Sequence, residues 1–182
     1  HPRAEVQSMP APLYFDEDEV PDFFNTFNLG EWPKNHTTIH AILSGVDGRE
    51  LFRDTLGILQ FSSPVLLDYN EDSFPDVVYA INTEEWDVFP VYKTQLMLYN
   101  GRTGLKTPLD SAYYGKILGS TPLITDLDSD GKVDLIYTYM TQRDKFITYR
   151  DLVVKRIELD IKIATNFWGG YMGTDYTSIF RK

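Results

Sequence analysis

Asp126, Asp128, Asp130 and Asp134 stand at positions 1, 3, 5 and 9 of a short segment whose sixth residue is Gly131. Carboxylates at alternate positions offer the oxygen ligands that a hard cation takes, and a glycine at the sixth position permits the sharp turn that gathers them. Lys132, at position 7, can add its backbone carbonyl. Four unneutralised carboxylates converging on one point repel strongly, so a bound cation is the expected reason for this spacing, with Ca²⁺ the expected ion. The glutamate that closes helix-flanked calcium loops at position 12 is missing, and apolar β-type residues flank the segment instead of helical patterns.

The same chemistry recurs 58 residues earlier. Ser62-Ser63-Pro64 through Asp76 aligns without a gap onto Ser120-Thr121-Pro122 through Asp134. This second segment offers Asp68, Asn70, Asp72 and Asp76, with the Phe74 carbonyl at position 7 and Ser73 where the glycine would be. Two Ca²⁺ sites are therefore expected. A fainter copy starts at Ser8-Met9-Pro10, at an offset of 54, and runs to Asp22. Tyr14 holds its first ligand position and Glu19 its glycine position, so that loop is expected to be empty.

These loops need elements to carry them. Val77-Val78-Tyr79-Ala80 and Leu135-Ile136-Tyr137-Thr138 follow the second and third loops as continuous runs rich in β-branched and aromatic residues, the pattern of strands buried on both faces. Ala41-Ile42-Leu43 leads into Gly45-Val46-Asp47-Gly48, and Leu96-Met97-Leu98-Tyr99 into Gly101-Arg102-Thr103-Gly104, each a strand entering a glycine-bounded hairpin. Roughly four short strands per repeat of under about 60 residues is the content of a propeller blade. The expected fold is all-β: a propeller-like array of about three four-stranded blades, repeating over residues 8–55, 56–113 and 114–165 with a tail at 166–182, in a single unit spanning 1–182. Beyond Tyr137 the third copy has no Gly-x-x-Gly turn, so its outer half is expected to be remodelled.

With Leu56-Gly57 and Ser62-Ser63-Pro64 in one copy, Tyr114-Gly115 and Ser120-Thr121-Pro122 in the next, and an Asp loop with a closing Asp after each, the chain resembles the FG-GAP/VCBS repeat family of calcium-loop β-propellers. The resemblance covers about residues 8 to 140, although neither copy spells the family's Phe-Gly and Gly-Ala-Pro literally. It implies a secreted or cell-surface propeller whose calcium loops are structural, serving protein binding, adhesion or assembly.

Composition narrows the alternatives. Seventeen Lys and Arg against 27 Asp and Glu give a net charge of −10, which repels nucleic acid and anionic membrane surfaces. The absence of cysteine excludes disulfides and thiolate chemistry, and no apolar window is long enough to span a bilayer. No nucleophile elbow or phosphate loop is present, so a non-enzymatic module is expected; the alternatives are a structural matrix or filament subunit, or the accessory propeller of a polysaccharide-active enzyme. His36 and His40 share one face of a β-branched segment and read as structural or exposed. Trp32, Trp86 and Trp168 could stack sugar rings, but are expected to fill blade interfaces. Asn35-His36-Thr37 is a glycosylation sequon, making Asn35 the candidate acceptor.

Three blades are fewer than the roughly four to eight that close a propeller. Apolar end faces, such as those bearing Val77 or Leu135, are expected to be exposed and to be covered by other protein chains or by the remainder of a precursor. The non-Met start at His1 and the dibasic Arg181-Lys182 end suggest the latter.

Overall fold

A computed structural model of the chain describes residues 4–6, 8–16, 18–31, 34–86, 88–142, 149–163 and 168–170, with the backbone alone for Lys34, Asn35 and Gln142. The described residues form strands and connecting turns, without helix. The strands are β1 (Ala4–Glu5), β2 (Ala11–Leu13), β3 (Asp22–Glu31), β4 (Lys34–Leu43), β5 (Glu50–Thr55), β6 (Val65–Leu67), β7 (Asp76–Trp86), β8 (Pro90–Tyr99), β9 (Lys106–Tyr113), β10 (Gly115–Lys116), β11 (Leu123–Thr125), β12 (Lys132–Gln142) and β13 (Tyr149–Lys162). They make three antiparallel sheets.

In the first sheet β1 and β2 lie end to end along β3, followed by β4 and β5; the second is the meander β6-β7-β8-β9. In the third, β10 and β11 lie end to end along β12, whose other edge carries β13. Only three positions wide among the described residues, this sheet lacks the outer strand of the other two. The missing Gly-x-x-Gly turn marks that difference.

The sheets stack face to face like blades. One apolar layer joins Phe24, Ile42 and Leu13 of the first sheet to Leu66, Val77, Tyr79 and Tyr99 of the second. A second layer joins Val65, Val78, Leu96 and Leu98 to Ile124, Val133, Leu135 and Tyr137 of the third. β7 thus buries both faces, which is why its first seven residues are all buried and its sequence runs apolar without alternation. Val77 and Leu135 are fully buried between sheets. The expectation that they would mark exposed ends is corrected: Val77 packs in the layer between the first and second sheets and Leu135 in the layer between the second and third, so the end faces are carried by other residues.

Polar bonds at repeat spacing stitch the layers. Met9 N–H donates to Ser63 Oγ at 2.8 Å, and Ser63 N–H donates to Thr121 Oγ1 at 3.3 Å, linking the residues that precede the three equivalent prolines. Buried Asn28 donates to the Gln60 carbonyl at 2.7 Å and accepts from Gln60 N–H at 2.9 Å. Asn82, 54 residues on, does the same for Ile117 at 2.6 and 2.9 Å. Each asparagine clamps the chain as it crosses from the outer edge of one sheet to the inner edge of the next. Met140 occupies the equivalent position in the third sheet and can form no such clamp.

Candidate metal centre

Among the described residues the three loops share one backbone feature. Glu19, Ser73 and Gly131 all hold positive φ (65°, 68° and 84°) at the sixth position, so the turn that glycine favours is also made by Ser and Glu. In the third loop Asp126 accepts Asp130 N–H at 3.0 Å and Gly131 N–H at 2.9 Å, while Asp130 accepts Lys132 N–H at 2.9 Å. The second loop repeats this with Asp68 accepting Asp72 N–H at 3.0 Å and Ser73 N–H at 2.8 Å, and Asp72 accepting Phe74 N–H at 2.9 Å.

This curl brings one oxygen each from Asp126, Asp128 and Asp130 within 4.8 Å of one another, with Asp128 and Asp130 exposed. The cluster could hold a metal ion. In the second loop Asn70 replaces the middle carboxylate, and its amide donates to Asp72 Oδ2 at 3.0 Å. The Lys132 side chain points to Asp160, 3.0 Å away, and the Arg102 guanidinium lies 4.9 Å over the Phe74 ring.

The closing aspartates are placed differently from the cluster. Asp22, Asp76 and Asp134 are buried, the first two as the first residues of β3 and β7 and the last as the third residue of β12. One oxygen of each accepts the N–H at loop position 2, from Phe15 at 2.9 Å, Tyr69 at 2.9 Å and Leu127 at 2.7 Å. The other oxygen of Asp22 and Asp76 accepts from a hairpin glycine, Gly45 at 3.1 Å and Gly101 at 2.9 Å. A Cβ at Gly45 or Gly101 would come 2.0 Å from the Pro21 or Pro75 carbonyl oxygen, so glycine is what lets the hairpin reach the carboxylate. Each closing Asp is therefore a bracket between loop and hairpin. Burial raises the Asp76 pKa, and the two backbone N–H bonds oppose that rise.

In the third sheet, which lacks the glycine hairpin, Arg156 on β13 takes over. Its Nε donates to Asp134 Oδ1 at 2.6 Å and its Nη2 to Asp128 Oδ2 at 2.5 Å. The guanidinium lowers the Asp128 pKa and neutralises one member of the acidic cluster from within. Sequence reasoning did not find Arg156, which lies 22 residues beyond the loop's last aspartate, in the segment after Tyr137 where no repeat pattern points to it. Arg156→Met is expected to raise Ca²⁺ affinity at this loop by roughly tenfold, because the competing charge leaves Asp128. Calorimetric titration checks this, and an unchanged affinity would mean that the arginine and the ion do not compete.

The remaining candidates fall into place around these loops. His40 lies fully buried on β4 with Nδ1 3.2 Å from Thr26 Oγ1, as a structural histidine. Trp168 is buried in the layer between the first two sheets, as expected, whereas Trp86 is 65% exposed at the end of β7 and fills no interface. That correction follows from β7 extending past the stacked part of the blade. Trp32 and the Asn35 side chain lie outside the described residues. A cavity of about 350 Å³ opens beside β1, β3 and β4, lined in part by Glu5, Glu31 and His36. Among the described residues no helix is long and apolar enough to cross a membrane. In comparisons with known proteins, no family model, curated protein or solved structure matches this chain.

Proposed function

We propose that this chain is a calcium-stabilised segment of an FG-GAP-like propeller, non-enzymatic, acting outside the cell in protein binding, adhesion or assembly. The observation that carries the reading is the clustering of Asp126, Asp128 and Asp130 in a loop whose fold is repeated, ligand position by ligand position, at Asp68, Asn70 and Asp72. Exposed loops with a few carboxylates, one already paired with arginine, suit the weak affinity of about 10⁻⁴ to 10⁻³ M found in extracellular calcium modules. An ion at each loop neutralises the carboxylates and stabilises the native state, because the unfolded chain has no site. Net charge of −10 favours protein or cation partners over nucleic acid.

Two Ca²⁺ ions are expected per chain. Removing them with a chelator, from a solution holding calcium about tenfold above the dissociation constant, should lower the melting temperature by roughly 5–10 °C. No calcium by elemental analysis together with an unchanged melt would refute the reading.

A second reading, an accessory domain of a polysaccharide-active enzyme, is favoured by one observation: Glu5, Glu31 and His36 line the same cavity. Turnover on a glycan panel, lost in Glu5→Gln or Glu31→Gln and kept in loop variants, would select it over the first.

A further inference from the structure

We infer that a second copy of this chain completes the array, the free face of the third sheet of each copy packing on the free face of the other's first sheet to close a ring of six blades. The inference rests on the propeller reading and names the partner. Each internal layer joins the forward face of one sheet to the rear face of the next, and the ladder register identifies the same faces at the two ends. On the third sheet Leu123 pairs with Ile136, as Val65 pairs with Val78, and Thr138 pairs with Val154, as Ala80 pairs with Leu96. Its forward face thus presents half-buried Leu123 and Ile136 and exposed Val154 where the second sheet buries Val65, Val78 and Leu96, with Arg156, beside Ile136, where that sheet buries Leu98.

Beyond them Met140 pairs with Leu152, and both Val154 and Leu152 are 66% exposed on this face. At the opposite end the rear face of the first sheet carries Phe23, Phe27 and Leu43, with Phe23 39% exposed. A groove of about 220 Å³ runs there, lined by Phe27, Leu29 and Leu43 among others and rimmed by Glu50 and Arg53.

Two features favour a second copy over a fourth blade following in the same chain. The clamp that fixes each crossing to the next sheet is asparagine at positions 28 and 82 but methionine at 140. After β13 the chain turns back, with the Trp168 carbonyl accepting Leu66 N–H at 2.9 Å and the Gly169 carbonyl accepting Ile124 N–H at 2.7 Å along the inner edges of the second and third sheets. The hydroxyl that receives a backbone N–H across each internal layer is also replaced, by Met9, on the first sheet. Both ends have lost the polar stitch of a covalent neighbour and keep apolar side chains, which on the third sheet stand beside Arg156 and Glu158, an apolar patch with a charged margin as at a junction between separate chains. Two copies related by a two-fold axis form two identical junctions and leave no end face open; six blades lie within the roughly four to eight that close.

Sedimentation and light scattering on the whole chain test this, with Val154→Lys and Phe23→Lys as exposed-site variants checked for folding by circular dichroism. The expected result is a dimer of twice the 21.0 kDa chain mass, with each variant a monomer on its own and an equimolar mixture of the two regaining dimer. The mixture associates because it holds one junction with both faces intact. A wild-type chain that stays monomeric at the highest attainable concentration, a mixture that fails to associate, or loss of the dimer in only one variant would each overturn the ring. Calcium titration of the same samples is independent of these outcomes, so a failed ring is told apart from a failed calcium loop.

Discussion

Asp22→Ala, measured in chelator-treated protein, is expected to cost about 3–5 kcal/mol of folding stability, the largest effect of any single substitution in the loops. Asp22 is fully buried and accepts Phe15 N–H at 2.9 Å, Asp16 N–H at 3.3 Å and Gly45 N–H at 3.1 Å. Removing the carboxylate leaves donors that the folded loop and hairpin hold away from water, each costing about 1–3 kcal/mol when orphaned. The first loop is the right place for the measurement because Tyr14 holds its first ligand position, so a loss there cannot be ascribed to a departed calcium ion. Asp22→Asn separates geometry from charge: it keeps the shape but turns an NH₂ toward one of the backbone donors, and it should cost nearly as much. Asp18→Ala, in the exposed part of the loop, should stay within about 0.5 kcal/mol of wild type. Urea midpoints for the three variants settle the matter, and equal losses for Asp22→Ala and Asp18→Ala would show that the bracket carries no special energy.

That role was hidden by the spacing that revealed the loops. A carboxylate at position 9 reads as a cation ligand, and the same oxygen can equally accept the N–H of position 2; nothing local to the loop separates the two. The separating information lies at long range, in the pairing of Asp22 with Gly45 and Asp76 with Gly101 across 23 and 25 residues. Both pairs were present in the sequence as Pro-Asp followed by a glycine-bounded hairpin. The repeat itself was legible because it is written in chemistry that tolerates little change: prolines, alternating oxygens and β-branched runs. The run Val77–Ala80 lies in the buried first half of β7, whereas Leu135–Thr138 of β12 alternates between buried Leu135 and Tyr137 and half-buried Ile136 and Thr138, so the expected burial on both faces holds for β7 alone.

Less legible was everything decided between sheets. Asn28 and Asn82 sit in strands as ordinary polar residues, and only their 54-residue separation, equal to the offset of the first two loops, ties them to the repeat. Trp168 looks like one more interface tryptophan, which its side chain is, but its carbonyl also caps the inner edge of β6. Inner edge strands of three residues cannot hide their outward N–H groups by themselves, so a returning segment satisfies them. Pro12, at the position of Leu66 in the first sheet, has no N–H to satisfy and makes no such demand.

Mild acid is expected to weaken the stack through His40. Its ring lies between Phe24 and Tyr79, with centroids 6.3 and 4.7 Å away, in the layer joining the first two sheets. Burial pushes its pKa from the ordinary 6.5 down to about 4, the backbone at Leu56 and the charge of Asp54 resisting the shift and Lys106 adding to it. The unfolded chain therefore binds a proton between these values while the folded chain does not. Stability from this group is complete above about pH 6.5 and is lost as pH falls toward about 4, by up to about 3 kcal/mol at about 1.36 kcal/mol per pKa unit. Asp76 works in the opposite sense, since its raised pKa means that the folded state takes up a proton more readily as the solution is acidified. Asp110, held low by Lys155 and Tyr137 against the effect of burial, contributes its loss only in stronger acid. The window between pH 6.5 and 4 thus belongs chiefly to the histidine. His40→Leu keeps an apolar group between the same rings and has nothing to protonate, so its urea midpoint should change much less over that range than the wild-type midpoint. Equal acid slopes for the two proteins would remove His40 as the cause and point to the carboxylates of the loops instead.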